Sequence, residues 1–427
     1  MIDLWRPYET KSPATIFSEL ASDCEKLGIS SQDIYGDFTM STETSWLRRF
    51  ERELSNDLGK EDCLFLPSGT MAQQIVLRIY AERCQRKSFA CHFSSHILLH
   101  EQDSYNTLSE LDAIVIPPNQ NKSTQLPISF ETVVQQLSAS PTPACLVLEC
   151  PHREIGGKCT PWEDLVKIFN YCKSHDIALH MDGARLWEAA AAYQRPLPEL
   201  CAFFGSVYVS FYKGLGGITG AALLGDAELI ASARVWLRRF GGNLYTLLPY
   251  AVSSWSSYRR HKDSFSDRRA RLQHVVRVVS DALSSFRSPQ DNVALVRFDP
   301  TVPEVSLVHV YIQGCVSVVE AARNAAAEAC GVKCFMKLRA GQYGASQESC
   351  TEFNMVSCDM LCYITTSLFN VSIFPGPAEW RYPRRGLGAG VDSLCADSAR
   401  YAGRRAPFIT TEEVQLDRNI HLQLLCE

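Results

Sequence analysis

Along residues 46–58 the apolar side chains Trp46, Leu47, Phe50, Leu54 and Leu58 recur three and four positions apart with charges between them, and Gly59 follows. That spacing predicts an amphipathic helix that stops at the glycine. Next come a short apolar run, Cys63-Leu64-Phe65-Leu66, a small-residue turn, Ser68-Gly69-Thr70, and a helical pattern from Met71 to about Arg86. Mostly apolar runs at 145–150, 177–181 and 207–209 read as strands of a sheet with covered faces. Helical patterns at 162–175, 226–240 (closed by Gly241-Gly242) and 268–282 lie between and beyond them. Strands alternating with helices predict an α/β fold, a mostly parallel sheet with helices on both faces.

Past residue 290 the alternation loosens. A strand is predicted over 305–312 and a helix over 317–330, the makings of a small α+β domain. From Lys337 onward the chain is rich in Cys, Gly, Pro and Arg, as in Phe374-Pro375-Gly376-Pro377, and reads as irregular. The division expected is an N-terminal segment 1–40, a large domain 41–285 and a small C-terminal domain 286–427, atypical after about 337. Neither an internal repeat nor a low-complexity tract interrupts this pattern.

Composition narrows the function class. With 427 residues, 46% hydrophobic and 21% charged, the chain is an ordinary globular protein, and a net charge of −5 offers no basic face for nucleic acid. Seventeen cysteines are scattered without paired CxxC spacing, so neither a metal site nor a disulfide framework is expected. The N-terminus lacks a basic stretch before an apolar core, and no run approaches the length of a membrane span. A cytoplasmic, soluble protein that binds neither membrane nor nucleic acid is expected.

Three residues carry chemistry at the ends of predicted strands. Lys213 stands in Ser210-Phe211-Tyr212-Lys213-Gly214-Leu215-Gly216-Gly217, directly after Val207-Tyr208-Val209. A lysine amine attacks carbonyls only when it is desolvated or its pKa is lowered, as a buried strand end beside a ligand would arrange; a solvated lysine in a surface turn is the plain alternative. Asp182, in His180-Met181-Asp182-Gly183-Ala184-Arg185, puts a carboxylate at the end of its strand, where α/β sheets bind ligands. It could meet a protonated pyridine nitrogen or form a salt bridge with Arg185, which could instead fork onto a substrate carboxylate. Ser68-Gly69-Thr70 opens a helix whose first amides are unpaired, and it fits a phosphate site or a plain N-cap equally well. A phosphate cradle, an acid for a ring nitrogen and a Schiff-base lysine are the three parts that a pyridoxal 5'-phosphate enzyme needs.

At these residues, together with His96, Glu101 and the stretch Glu149-Cys150-Pro151-His152, the sequence resembles the threonine aldolase/β-eliminating lyase family of fold-type I pyridoxal phosphate enzymes. The resemblance runs from about Asp33 to Tyr250 and is most specific at Met181-Asp182-Gly183-Ala184-Arg185 and Lys213-Gly214-Leu215-Gly216. It implies a seven-stranded-type sheet and a Schiff base at Lys213. Asp182 would face the ring nitrogen, Ser68, Gly69 and Thr70 would hold the phosphate, and His96 would stack on the ring. Arg185 would hold the substrate carboxylate, with Tyr35 near the substrate. His152 matches a second active-site histidine and is the best general base, since imidazole titrates near neutrality.

The reaction so implied is aldol cleavage of a β-hydroxy-α-amino acid of the threonine or allo-threonine type to glycine and an aldehyde, in a homodimer or homotetramer. Racemisation, β-elimination, transamination or a non-catalytic role are the alternatives, because one cofactor serves many reactions. The sequence also departs from the family. Residues 1–30 hold no match to its Asp-Leu-Arg-Ser-Asp-Thr-like strand, and Gly241-Gly242-Asn243-Leu244-Tyr245 replaces a Gly-Gly-Gly-Met-Arg-like segment. A second carboxylate-binding arginine is not assignable, with Arg381 and Arg384 the available residues.

Overall fold

The computed structural model describes residues 2–3, 11–35, 45–118, 126–287, 294–330, 332–333, 338–340 and 348–354. Its centre is a seven-stranded sheet of β2 (Asp62–Leu66), β3 (Ser88–His92), β4 (Asp112–Ile116), β5 (Cys145–Glu149), β6 (Ala178–Gly183), β7 (Ser206–Ser210) and β8 (Ala221–Gly225), in the order β2-β8-β7-β6-β5-β3-β4. The strands from β7 to β4 run parallel, whereas β8 is antiparallel to both of its neighbours. Two reversals leave β2 pointing the same way as β7, so six strands finish at one edge.

Helices cover both faces and separate the core in two. On one face Phe50, Leu54 and Leu58 of the helix Trp46–Leu58 pack with Phe65, Phe211, Trp255 and Tyr258. On the other, Ile75, Val76 and Ile79 of the helix Gly69–Cys84 pack with Leu64, Phe89, Tyr208 and Leu223. Because β5 to β8 are covered on both sides, nearly all of their residues are buried, and β5, β6 and β7 accordingly read as mostly apolar runs rather than alternating ones. Gly59 ends the helix Trp46–Leu58 with φ 66°, as its position suggested.

The helix expected from Met71 begins two residues earlier, at Gly69, because the Ser68 hydroxyl accepts from the Met71 amide and caps it. Three strands of the sheet, β3, β4 and β8, escaped the sequence pattern, as did the helices Pro13–Leu27 and Leu248–His261. A four-stranded sheet in the order β12-β13-β10-β9 joins β9 (Val296–Asp299), β10 (Leu307–Gln313), β12 (Arg339–Ala340) and β13 (Glu348–Asn354). β13 lies inside the stretch expected to be irregular. Its polar sequence is held by seven antiparallel register pairs with β10, among them His309 with Glu352. The short β1 (Ile2–Asp3) pairs with β11 (Val332–Lys333). Arg381 and Arg384 lie outside the described residues.

Candidate active site

The expected site residues gather where the six strands finish. Glu149, Asp182 and Tyr208 are register partners across β5, β6 and β7, so two carboxylates sit side by side at the ends of adjacent parallel strands. Asp182 is buried and accepts from Gln73 Nε2 at 2.7 Å and from the Ala184 amide at 3.1 Å. It does not pair with Arg185. Burial and the neighbouring Glu149 push its carboxyl up to about 6, while Lys213, His96 and the Ala184 amide restrain the rise.

Behind Asp182 runs a chain of buried hydrogen bonds with only one consistent direction. An ionised carboxylate can only accept, so Gln73 turns its NH2 toward Asp182 and its Oε1 toward His180 Nε2, 2.8 Å away. His180 Nε2 then carries the proton, leaving Nδ1 to accept from Ser206 Oγ at 2.7 Å, and Ser206 Oγ accepts from the Tyr80 hydroxyl at 2.8 Å. Burial keeps His180 neutral by holding its pKa down to about 3. Gln73 and Ser206 were not among the expected site residues, and His180 was expected only as part of a strand.

Lys213 follows β7 in a turn tightened by Gly216, whose φ of 80° suits glycine. Desolvation and then the nearby Arg185 cation push its amine down to about 8, against the pull of Asp182 and Glu149. His96 joins the group from the start of the short helix His96–His100 that follows β3. Its amide donates to Glu149 and its Nδ1 lies 3.1 Å from Glu101 Oε1, while Gln74 donates to the second Glu101 oxygen at 3.0 Å. The Glu101 hydrogen bond raises the His96 pKa, burial lowers it, and Asp182 adds a smaller upward pull.

His152 is buried against His92, with ring centroids 4.7 Å apart. Its Nε2 lies 3.2 Å from the Ser94 carbonyl, 3.1 Å from Ser94 Oγ and 3.9 Å from Glu149 Oε2. A carbonyl can only accept, so Nε2 is the protonated nitrogen of the neutral ring and Nδ1 keeps the lone pair. His152 thus reaches the Asp182–Lys213 group through Glu149. Tyr35 lies apart from it. Its φ is 52°, its amide donates to Tyr245 O, and its exposed ring meets Tyr245 edge-on at 5.4 Å.

Arg185 caps the helix Leu186–Tyr193 and is largely buried. Its Nε lies 3.8 Å from Glu188 and its Nη2 3.6 Å from Glu352, which β13 brings in from the small sheet. Arg153 donates to the other Glu352 oxygen at 2.8 Å.

Several features of the chain fit a bound phosphate and pyridine. The 16-residue helix Gly69–Cys84 ends at this edge with its first amides free of helical partners, although the Ser68 hydroxyl is already engaged as a cap. A Cβ at position 69 would stand 2.0 Å from the Tyr208 hydroxyl, so glycine leaves the backbone bare there. Ser210 Oγ, three residues before Lys213, is buried with no partner that meets hydrogen-bond geometry, although the Tyr208 hydroxyl leans toward it. That residue, too, went unremarked in the sequence. Thr70 is exposed on the first turn, open to a ligand.

Comparison with known proteins gives a consistent neighbourhood. The family model described as beta-eliminating lyase matches residues 33–332. A low-specificity L-threonine aldolase of Candida albicans is 33% identical over 219 residues, covering 49% of this chain and 56% of the relative. The aldolase vrtJ of Penicillium aethiopicum is 35% identical over 210 residues, covering 49% and 52%. The chain thus spans about half the length of these curated relatives. The crystal structure of a candidate L-allo-threonine aldolase from Listeria monocytogenes superposes with a TM-score of 0.71 at 30% identity, covering 86% of this chain and 93% of that one. A Sphingomonas wittichii serine palmitoyltransferase, at 15% identity and a TM-score of 0.60 over 86% of each chain, shares the fold.

Proposed function

Because the chain belongs to the beta-eliminating lyase family, we propose that it is a pyridoxal phosphate-dependent aldolase that cleaves a β-hydroxy-α-amino acid of the threonine type to glycine and an aldehyde. What carries the reading is the placement of Lys213, its amine held down to about 8, after the strand next to the one that ends in Asp182, a buried carboxylate that accepts from Gln73 and the Ala184 amide. Lys213 is displaced toward the value that its role requires, and Asp182, though raised by burial to about 6, is still ionised at pH 7. The amides of Gly69 and Thr70 and the Ser210 hydroxyl would hold the phosphate, Asp182 would face the ring nitrogen, His96 would cover the ring, and Lys213 would be the amine that reacts with the cofactor's aldehyde. The cofactor, when bound, supplies a carbonyl that condenses with amines and a ring that stores the electron pair released at Cα.

The chain's own residues supply the rest. At pH 7 an amine with a pKa of about 8 is about 10% unprotonated, against about 0.03% for one at 10.5, so Lys213 meets a carbonyl with a roughly 300-fold larger reactive fraction. Asp182 is ionised above about 6 and stays an acceptor through the hydrogen bond from Gln73. Arg185 binds the substrate carboxylate with a planar fork. His152, beside Glu149, is the base for the β-hydroxyl proton, so that C–O becomes C=O as the Cα–Cβ bond parts.

On this reading residues 41–285 form the large cofactor domain and 286–427 the small one, and the protein works in the cytoplasm as a homodimer or homotetramer. Exposed Ile34, Tyr35, Tyr212, Ile218 and Tyr245 support an assembled state. Among the described residues no helix is long and apolar enough to cross a membrane. The test is incubation of the cofactor-loaded protein with threonine, allo-threonine, phenylserine and alanine. Aldehyde release from the hydroxy amino acids is expected. Ammonia without aldehyde, or loss of optical purity in alanine, overturns the aldolase reading in favour of another pyridoxal phosphate reaction.

A further inference from the structure

Two arginines stand at the site, and one carboxylate of the chain itself holds both. Glu352 Oε2 accepts from Arg153 Nε at 2.8 Å and Glu352 Oε1 lies 3.6 Å from Arg185 Nη2, so the two carboxylate oxygens bridge the two guanidinium groups. Neither arginine depends on Glu352 alone for charge balance. Arg153 also donates to Glu154 at 3.0 Å, and Arg185 has Glu188 at 3.8 Å. Both of those acids are almost wholly buried, whereas the Glu352 side chain is 20% exposed, the most accessible of the three. Its contact with Arg185, like that of Glu188, is longer than a hydrogen bond, while its contact with Arg153 is short. Glu352 therefore has a place to stay, on Arg153, when Arg185 changes partner. Its position is fixed by register: Glu352 faces His309 across β10 and β13, and the small sheet thus delivers a carboxylate where a substrate carboxylate would arrive.

From this geometry we propose that Glu352 is a specificity-determining residue, a resident counter-carboxylate on Arg185 that an incoming substrate carboxylate must displace. The inference rests on the role given to Arg185 under the proposed function. Its consequence is a site that pays less for a carboxylate than an open arginine would, and that discriminates only modestly between an amino acid and its uncharged amide. Removing the charge at 352 leaves Arg185 facing Glu188 alone and makes the site selective for the carboxylate.

The experiment compares glycine with glycinamide, which keeps the amine and loses the carboxylate charge, on the cofactor-loaded full chain, read by the absorbance change on ligand binding. Glu352→Gln is expected to tighten glycine by about tenfold and to leave glycinamide within about twofold, and Glu352→Ala must change glycine with the same sign. Equal changes for both ligands, or no change for glycine, overturn the proposal. A second comparison on the unloaded chain uses acetate and acetamide, read as the shift in melting temperature. There Glu352→Gln should gain stabilisation from acetate only. If the wild-type chain takes up no cofactor while this acetate effect is present, the catalytic reading fails and the role of Glu352 stands. If uptake is normal and both carboxylate effects are missing, the role of Glu352 fails alone.

Discussion

Replacing Gln73 by methionine keeps the length of the side chain and removes the donor that faces Asp182. The lost bond is a buried 2.7 Å contact from an amide to a carboxylate. Hydrogen bonds to charged groups contribute about 1.5–3 kcal/mol. At 1.36 kcal/mol per unit that moves the Asp182 pKa up by about 1–2 units, from about 6 to about 7–8. At pH 7 the carboxyl then passes from about 90% ionised to between about 10% and 50%. The direct assay is carbon NMR of labelled aspartate side chains in the unloaded protein between pH 4 and 9. The functional one is the pH dependence of the cofactor absorbance, whose acid limb should move up by the same amount. Stability shifts too. A carboxyl raised above its unfolded value of 3.8 binds more protons folded than unfolded between those two values, so it lowers stability as pH rises through that window. In the variant the window extends to about 7–8. A midpoint that stays within a few tenths of the wild-type value, or falls, refutes the claim that the directed chain from Tyr80 to Gln73 keeps Asp182 ionised.

Lys213→Ala is expected to abolish borohydride fixation of the cofactor, read by mass spectrometry, while phosphate still protects the fold. Cofactor capture should speed up with pH through about 8 and level off above it, and Arg185→Gln should move that midpoint upward, because the arginine cation is the second cause of the lowered amine. Gly69→Ala drives a Cβ to within 2.0 Å of the Tyr208 hydroxyl; overpacking of this kind costs about 1–3 kcal/mol, and equilibrium dialysis should show weaker cofactor binding alongside a lower melting temperature. His152→Gln should lower kcat for threonine by about 10²–10⁴ with an unchanged cofactor spectrum, as loss of a general base does; an unchanged kcat removes His152 from the proton path.

How much of this was legible depended on how locally each feature is encoded. Lys213 and Asp182 are each announced by the apolar strand just before them, since a strand buried on both faces leaves an unbroken hydrophobic run. Gln73 meets Asp182 across 109 residues of sequence, and nothing near position 73 reports that partner. One available signal was a Gln-Gln pair inside a helix whose other buried residues are mostly Ala, Ile, Val and Leu, where two buried amides need partners. β3 and β4 were obscured by His, Ser and Asp at their ends and by brevity, five residues each. Glu352 was the least legible. The strand that carries it, Glu-Ser-Cys-Thr-Glu-Phe-Asn, has no apolar face of its own and takes its form from pairing with β10.

The concentration of acids at the strand ends explains why so many neutral donors surround them. Glu101, Asp182, Glu154 and Glu188 are all buried, Glu149 lies beside Asp182, and an unpaired charge in such a place would be driven to protonate. Four have donors, Gln74 for Glu101, Gln73 and the Ala184 amide for Asp182, the His96 amide for Glu149, and His100 and Arg153 for Glu154, while Glu188 has the Arg185 cation 3.8 Å away. Amides and neutral imidazole satisfy a carboxylate without cancelling its charge, and they do not lower the pKa of a nearby amine as an arginine does. The chain places neutral donors on Asp182 and Glu149, whereas burial and then the Arg185 cation lower the Lys213 amine. The charge kept on the carboxyl and the charge lost from the amine are thus governed by different neighbours, a combination that two directly paired groups could not reach.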